Sequence, residues 1–558
     1  MKFKIVVIGA NAAGAKAAAK ARRMNPHAEI TVVDKGAFIS YGACGIPYYV
    51  SDMVSDEKEL MSTPIGVVRD PAFFKKVKGV DVRTGCEATR IDRQAQLVEL
   101  LTLADNTKTI LPYDRLILAT GSSPIVPPLP GVDLANIITV KSIEDAVILK
   151  ESALTGEHVC VIGAGLIGLE TVEALATRGM IVTLVELFEQ ILPGILDEEM
   201  ASLLKHHLQE KGVKVLTSTR VSGLVGEGKV EKVLTDQGEL SVDLVVMAVG
   251  ARPNIELARA AGLTIGTTGA IAVDDRLRTS DPHIFACGDC CETINLITGQ
   301  PIYAPMGSTA NKQGRVAGIN ATGGDATFAG VLGTAILKAF DFSAGKTGLT
   351  EHAARKAGYD VETVLSPAPD RAHFYHGAKP IALKLVADRS NGQLLGLQAV
   401  GPGAVDKRID VAVTALSFHA TVDQISHLDL AYAPPFSAAM DNLIVAADVL
   451  KNKLSGQARG MTPQEVKRKM LDEDDFILLD VRSPAEHQVT RIAGAKLVPL
   501  GALREKLDAL PRDKEIVTFC KISLRGYEAQ KILNAAGFER VSFMDGGLLT
   551  WPYEVEKG

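Results

Sequence analysis

Lys4-Ile-Val-Val-Ile8-Gly9-Ala-Asn11-Ala-Ala-Gly14 opens the chain. The same plan returns as His158-Val-Cys-Val-Ile162-Gly163-Ala-Gly165-Leu-Ile-Gly168. Each copy is a short apolar run, a glycine-rich turn and a helix-forming stretch. An apolar run without polar alternation reads as a strand buried on both faces of a parallel sheet. The glycines allow a tight turn and bring a helix N-terminus close to a pyrophosphate. The first copy predicts a strand over 4–8, a helix to about Met24 and a strand over 29–33 that ends at Asp34. The second predicts a strand over 159–162, a helix to Arg178 and a strand over 181–185 that ends at Glu186. This internal repeat points to two Rossmann-like α/β nucleotide domains.

The copies differ in what they would hold. In the first, Asn11 stands where a second glycine is usual, beside Gly9, Ala12, Ala13 and Gly14. Asp34, followed by Lys35, is placed to bind ribose hydroxyls. Further on, Ile284-Phe-Ala-Cys-Gly288-Asp289 supplies an aspartate suited to a ribityl–phosphate region, and Ala119-Thr120-Gly121 lies between the copies. Together these read as FAD. The second copy has the full fingerprint Gly163, Gly165, Leu166, Ile167, Gly168, with Gly250 after a later strand. Glu186 is followed by Leu187 and Phe188, not by Arg or Lys. A carboxylate there accepts from a free 2′-hydroxyl and repels a 2′-phosphate, so NADH is expected over NADPH.

At 558 residues the chain is too long for one core. The expected organisation is a FAD domain in two parts, 1–150 and 273–325, around a NADH domain, 151–272. A mixed strand-and-helix region without a nucleotide motif, 326–450, a polar linker, 451–460, and a compact α/β unit, 461–558, follow. A net charge of −6 leaves no nucleic-acid footprint. Seven cysteines without a framework spacing fit free thiols in a reducing cytosol. The N-terminal apolar run leads directly into the glycine turn and reads as a strand, not a targeting segment. No apolar stretch is long enough to span a bilayer.

Two cysteines carry the chemistry. Cys44 lies in Ser40-Tyr-Gly-Ala-Cys44-Gly-Ile-Pro47, and Cys520 opens Cys520-Lys-Ile-Ser-Leu-Arg525-Gly526. Each is expected at a helix N-terminus, where free N–H groups and the dipole favour a thiolate. Redox chemistry on sulfur follows. Cys287, Cys290 and Cys291 read as packing residues, and no metal is expected, because no nearby His or Cys completes four ligands.

With these motifs, residues 1–450 resemble the pyridine nucleotide–disulfide oxidoreductases, which implies FAD, NAD and dimerisation domains, the last an α+β domain over 326–450. Cys44 has no cysteine partner five residues on, so the resemblance excludes the glutathione reductase type of active-site disulfide. A lone cysteine implies a mixed disulfide, a persulfide or a sulfenic acid. The single-cysteine branches are coenzyme A disulfide reductases, NADH oxidases and NADH peroxidases. The latter two commonly carry a histidine in the first glycine loop, and Gly9–Gly14 has none. Ala431-Tyr432-Ala-Pro-Pro-Phe-Ser437 is similar to the coenzyme A disulfide reductase signature, whose tyrosine reaches the active site of the dimer mate. Tyr375 is a second candidate. Lys16, Lys20 and Arg23 share one helix face. With Ser40, Asn311 and Arg315 they match positions that meet coenzyme A in the resembling reductases. Ala43 departs from the pattern, because the best-known reductases carry Asn before the cysteine.

Residues 461–558 resemble a rhodanese, a sulfurtransferase domain. The resemblance rests on Leu479-Asp480-Val-Arg482-Ser-Pro-Ala-Glu486-His487, Gly494-Ala495, the Cys520 loop and Gly546-Gly547-Leu-Leu-Thr-Trp551-Pro552. Four residues separate Cys520 from Arg525, one fewer than in related phosphatases, and Phe519 stands where those carry His. Sulfur transfer is therefore expected, with Cys520 the carrier and Arg525 beside it. The whole implies a homodimeric, NADH-dependent FAD enzyme that reduces a thiol persulfide, a polysulfide or coenzyme A disulfide. The alternatives are plain coenzyme A disulfide reduction, an NADH oxidase or peroxidase, and a redox-sensing binding protein.

Overall fold

The computed structural model describes residues 2–558. The chain divides into two compact units. One runs to Leu187 and resumes over Leu216–Val331, and the other comprises Phe188–Val215 and Leu332–Gly558.

The first unit holds two parallel sheets. In one, the strand order is Ile284–Ala286, Arg115–Leu118, Lys4–Ile8, Glu29–Val33, Asp81–Arg83. In the other, Ile181–Val185, His158–Ile162, Leu244–Met247 and Ile137–Thr139 lie side by side. The repeat is preserved to the atom. Gly9 N–H donates to Val33 O, and Gly163 N–H donates to Val185 O, each at 2.8 Å. Both glycines have φ near +104°, a conformation that side chains rarely adopt. A Cβ on Gly9 would lie 2.1 Å from Ala119 O, and one on Gly14 would lie 1.8 Å from Gly9 O. These contacts put each helix, Ala12–Met24 and Leu166–Thr177, directly on the end of its strand.

The helix Ala12–Met24 packs against the helix Gly307–Asn320. A Cβ at Gly314 or Gly318 would fall 2.3 or 2.4 Å from Ala13 O or Ala17 O. Only small residues on both helices let the backbones meet so closely.

The second unit contains an antiparallel sheet in the order Ala335–Ala339, Phe342–Gly348, Leu394–Gly401, Pro380–Asp388, Val361–Pro369. The helices Val405–Ser417 and Asn442–Leu454 pack on it. A parallel sheet follows, ordered Gly460–Met461, Val541–Met544, Glu515–Phe519, Phe476–Asp480, Lys496–Leu497.

Two boundaries differ from the sequence reading. Residues 188–215, expected in the NADH domain, cluster with the second unit. Buried Lys384 draws them there, because it pairs with Asp197 (3.0 Å), Glu199 and Glu351 (2.7 Å). The expected linker at 451–460 begins inside a helix that runs to Leu454, and its end, Gly460–Met461, is a sheet strand. Its lysines are polar in composition but not all solvated: Lys451 and Lys453 complement the helix C-terminus, and Lys453 is 7% exposed on an ion pair.

Candidate active site

Cys44 sits in a single turn, Ala43–Gly45, ahead of the short helix Ile46–Val50. Two backbone bonds fix this turn: Ser40 N–H to Ala10 O (3.0 Å) and Gly42 N–H to Leu60 O (2.9 Å). The sulfur therefore hangs from the first glycine turn. A Cβ on Gly307 would lie 3.9 Å from Cys44 Sγ, so the fourteen-residue helix Gly307–Asn320 begins beside it. The sequence did not signal that second helix end.

The thiol is open to solvent at its tip, yet protein crowds the recess around it. That crowding, followed by the charges of Glu170 and Asp289, pushes the Cys44 thiol up, and Lys141 offsets part of the rise. The expected stabilised thiolate is therefore not set by the polypeptide alone. A helix of five residues has too weak a dipole to outweigh desolvation and two carboxylates. Glu170 lines a recess with Tyr48, Met53 and Glu173, and burial plus Glu173 pushes its own carboxyl up to about 7.

The nucleotide turns carry matched carboxylates. Asp34 accepts from Ala10 N–H (2.6 Å) and Gly36 N–H (2.8 Å). Glu186 accepts from Ala164 N–H at 2.7 Å. The Asn11 side-chain oxygen is buried with no partner at the start of the helix, whose free N–H groups are the donors a pyrophosphate would accept from. A Cβ on Gly165 would meet nothing within 4 Å, so the second turn faces open space. Both turns fit dinucleotides. Thr120 Oγ1 donates to Asn254 O and Asn254 Nδ2 returns to Thr120 O, which pins Gly121; Gly250 O accepts from Ile125 N–H. Asp289 accepts from Ser122 Oγ (3.0 Å) and lies 3.5 Å from Lys141 Nζ, and Gly288 N–H donates to Gln313. Ser122, Lys141 and Tyr303, whose buried hydroxyl has no partner, carried no motif in the sequence. Lys35 is exposed on the surface beside Asp34.

Lys16 and Arg23 are exposed and Lys20 half-buried on one face of their helix. Asn311 and Arg315 lie one turn apart on the helix packed against it, with Asn311 Nδ2 tied to Gly307 O. Tyr432 (53% exposed) and Tyr375 (41%) belong to the second unit, which also exposes Phe374, Phe418, Phe436 and Met440.

Cys520 is 1% exposed at the end of the strand Glu515–Phe519. Its loop turns through Ser523, at φ +84°, into the helix Leu524–Ala535. The guanidinium of Arg525 forks onto Glu486 at 2.7 and 2.8 Å and holds that carboxyl down to about 2. Glu486, and then Cys520, push Arg525 up in turn. Buried Asp480 accepts from Arg482 and from His487 Nδ1, which explains the Asp480-Val-Arg482 motif. The thiols of Cys287, Cys290 and Cys291 are buried; those of Cys290 and Cys291 lie near backbone carbonyls, and burial pushes all three up. Among the described residues, no cluster of three His, Cys, Asp or Glu is arranged for a metal ion. No helix among them is long and apolar enough to cross a membrane.

Two dinucleotide-type turns and one exposed thiol are the parts of a pyridine nucleotide-dependent flavin oxidoreductase. The pyridine nucleotide-disulphide oxidoreductase model matches residues 3–304, its dimerisation domain 334–444 and the rhodanese-like domain 462–553. The chain belongs to this family, whose cofactors are FAD and a pyridine nucleotide, and carries a C-terminal rhodanese-like domain. It is 39% identical over 453 residues to the Pyrococcus horikoshii NAD(P)H coenzyme A polysulfide/persulfide reductase, which covers 81% of this chain and 99% of that one. A NAD-dependent persulfide reductase from A. fulgidus superposes with a TM-score of 0.94 at 47% identity, covering 98% of this chain and 100% of the other. The reduced Bacillus anthracis CoADR-RHD gives 0.92 at 33% identity, over 99% and 98%.

Proposed function

We propose that the chain is a cytoplasmic, homodimeric, NADH-dependent reductase of coenzyme A persulfide, fed with sulfane sulfur by its own rhodanese domain. One observation carries this reading. Among the described residues Cys44 is the exposed thiol, all seven cysteines are unpaired, and a second, buried thiol sits in a rhodanese loop. A lone redox thiol needs a small-molecule partner to form its disulfide.

Gly9, Asn11, Gly14, Asp34 and Asp289 would hold FAD, and Gly163, Gly165, Gly168 and Glu186 would hold NADH. Bound together they supply an electron pair next to Cys44. Cys520 accepts sulfane sulfur as a persulfide and passes it to the coenzyme A thiol. The Cys44 thiolate then attacks the coenzyme A-side sulfur. The S–S bond breaks, hydrosulfide leaves and a Cys44–coenzyme A disulfide remains. Two-electron cleavage of that disulfide restores the Cys44 thiolate and frees coenzyme A, whose thiolate takes a proton from Tyr432 of the second subunit. Lys16, Lys20, Arg23, Asn311 and Arg315 meet the phosphates of coenzyme A, and Ser40 borders its arm. Tyr375 is a second proton donor in this scheme.

The test is anaerobic NADH oxidation with coenzyme A persulfide, scoring hydrosulfide against NADH. One hydrosulfide per NADH, faster than with coenzyme A disulfide, supports the reading. Brisk disulfide reduction without hydrosulfide moves the assignment to thiol-pool maintenance. Rapid aerobic NADH loss without a sulfur substrate moves it to an oxidase.

A further inference from the structure

The joint between the dimerisation domain and the rhodanese domain is built around one buried lysine. Lys453, on the last turn of the helix Asn442–Leu454, sits 2.7 Å from Asp545 Oδ2 and 3.4 Å from Glu362 Oε1, and donates to Thr363 O. Lys453 is 7% exposed and Asp545 2% exposed. A buried carboxylate is tolerated only with such a partner. The surroundings are shaped for it. A Cβ on Gly460 would fall 2.6 Å from Asp545 Oδ2, so a side chain there would push the carboxylate aside. Asp545 N–H also donates to Met461 O at 2.8 Å.

Asp545 opens the turn that carries the Cys520 loop. Two residues on, Gly547 has φ +58°, and a Cβ on it would lie 2.5 Å from Cys520 O and 2.9 Å from Ile522 N. Leu548 N–H donates to Cys520 O at 2.9 Å, and Leu549 N–H to Lys521 O at 3.0 Å. Ser523 Oγ donates to Met544 O. The sulfur-bearing loop therefore rests on the segment 544–549, and that segment is anchored from the neighbouring domain.

We propose that Lys453 is a positioning residue for sulfur transfer: through Asp545 and Gly547 it fixes the Cys520 loop, so that the rhodanese domain is a stationary donor and not a tethered one. This inference rests on the reading of Cys520 as the sulfur carrier.

The experiment uses the full-length holoenzyme with Lys453→Met and with the double change Lys453→Met plus Asp545→Asn, which leaves no buried charge unpaired. Three quantities are read: thiosulfate-to-cyanide sulfur transfer, the rate of Cys520 alkylation at fixed pH in a Cys44→Ser background, and NADH-driven coenzyme A disulfide reduction. Transfer turnover is expected to fall at least tenfold in both variants with the donor KM within twofold. Alkylation of buried Cys520 should quicken at least threefold as its loop loosens, and disulfide reduction should stay within twofold. A lowered melting temperature with unchanged turnover and alkylation rate overturns the proposal, as does an equal loss of both activities. If K453M does not fold, the double variant decides. If the unsubstituted enzyme itself transfers no sulfur, the carrier reading fails, which is a separate result.

Discussion

Glu186 carries two separable loads, and two substitutions divide them. Its carboxylate is 6% exposed and accepts the Ala164 N–H at 2.7 Å, which closes the second glycine turn. The proposed second load is a hydrogen bond from the NADH ribose. Gln at this position keeps an oxygen for Ala164 but gives up the charge. A hydrogen bond to a charged group contributes about 1.5–3 kcal/mol against about 1 for a neutral one, so Glu186→Gln should lose roughly 1–2 kcal/mol of NADH binding. That is a five- to thirtyfold fall in kcat/KM for NADH at unchanged saturated rate. NADPH gains by the same change, because the repulsion of its 2′-phosphate disappears, so the NADH/NADPH ratio should fall by well over tenfold. Ala removes the oxygen as well. It orphans the Ala164 N–H in a buried turn, at a cost of about 1–3 kcal/mol, and should lower the melting temperature where Gln does not. Steady-state kinetics with both nucleotides, beside thermal melts of both variants, give the answer. An unchanged nucleotide ratio in Glu186→Gln would refute the ribose contact and leave Glu186 as a loop tie only.

Gly314→Val should disrupt the contact of the helices Ala12–Met24 and Gly307–Asn320, because its Cβ alone would lie 2.3 Å from Ala13 O. A loss of about 3 kcal/mol or more and release of flavin on gel filtration are expected, and a variant that melts normally with flavin retained contradicts the packing argument. The Glu170 carboxyl is raised to about 7 by burial, so the folded state binds the extra proton, and stability should fall as pH rises from about 4.5 to 7. Glu170→Gln should flatten that limb in thermal melts and lower the pH midpoint of Cys44 alkylation, since the Glu170 charge holds that thiol up. An unmoved alkylation midpoint would show that the two groups are not coupled. Glu486 is held down to about 2 by Arg525, so the stability it contributes is present above about pH 4.5 and disappears as pH falls towards 2. Glu486→Gln should remove that acid limb from the rhodanese unfolding signal, whereas an identical acid limb in the variant counts against the pair.

The two nucleotide turns were legible because they are local. Gly9 and Gly163 are required by backbone conformation, and Asp34 and Glu186 stand at the ends of strands that the apolar runs already define. The rhodanese loop was legible for the same reason: Cys520 and Arg525 lie within six residues. The start of the helix Gly307–Asn320 beside Cys44 was not, because it joins residues more than 260 positions apart and leaves no periodic trace. Tyr303, Ser122 and Lys141 escaped likewise, since each gains meaning only from Asp289 or from burial. The Cys44 thiol was read from a helix end alone, while desolvation and the distant Glu170 and Asp289 set its direction.

The misread linker shows why polar composition is a poor guide to mobility. Residues 451–460 contain Lys, Asn, Ser, Gln, Arg and Gly, the composition of a solvated tether. Yet Lys453 is buried on Asp545, Lys451 pairs with Asp423 at 2.6 Å, and Gly460 is small because Asp545 needs its space. Each of these three has a tertiary partner 28 or more positions away. A tether would let the rhodanese carry its persulfide to the reductase by swinging. On the proposed reading, a joint of this kind removes that freedom, and sulfur would leave Cys520 on something that moves by itself. A long-armed thiol such as coenzyme A has the reach and chemistry for that task, which ties the buried lysine to the choice of substrate.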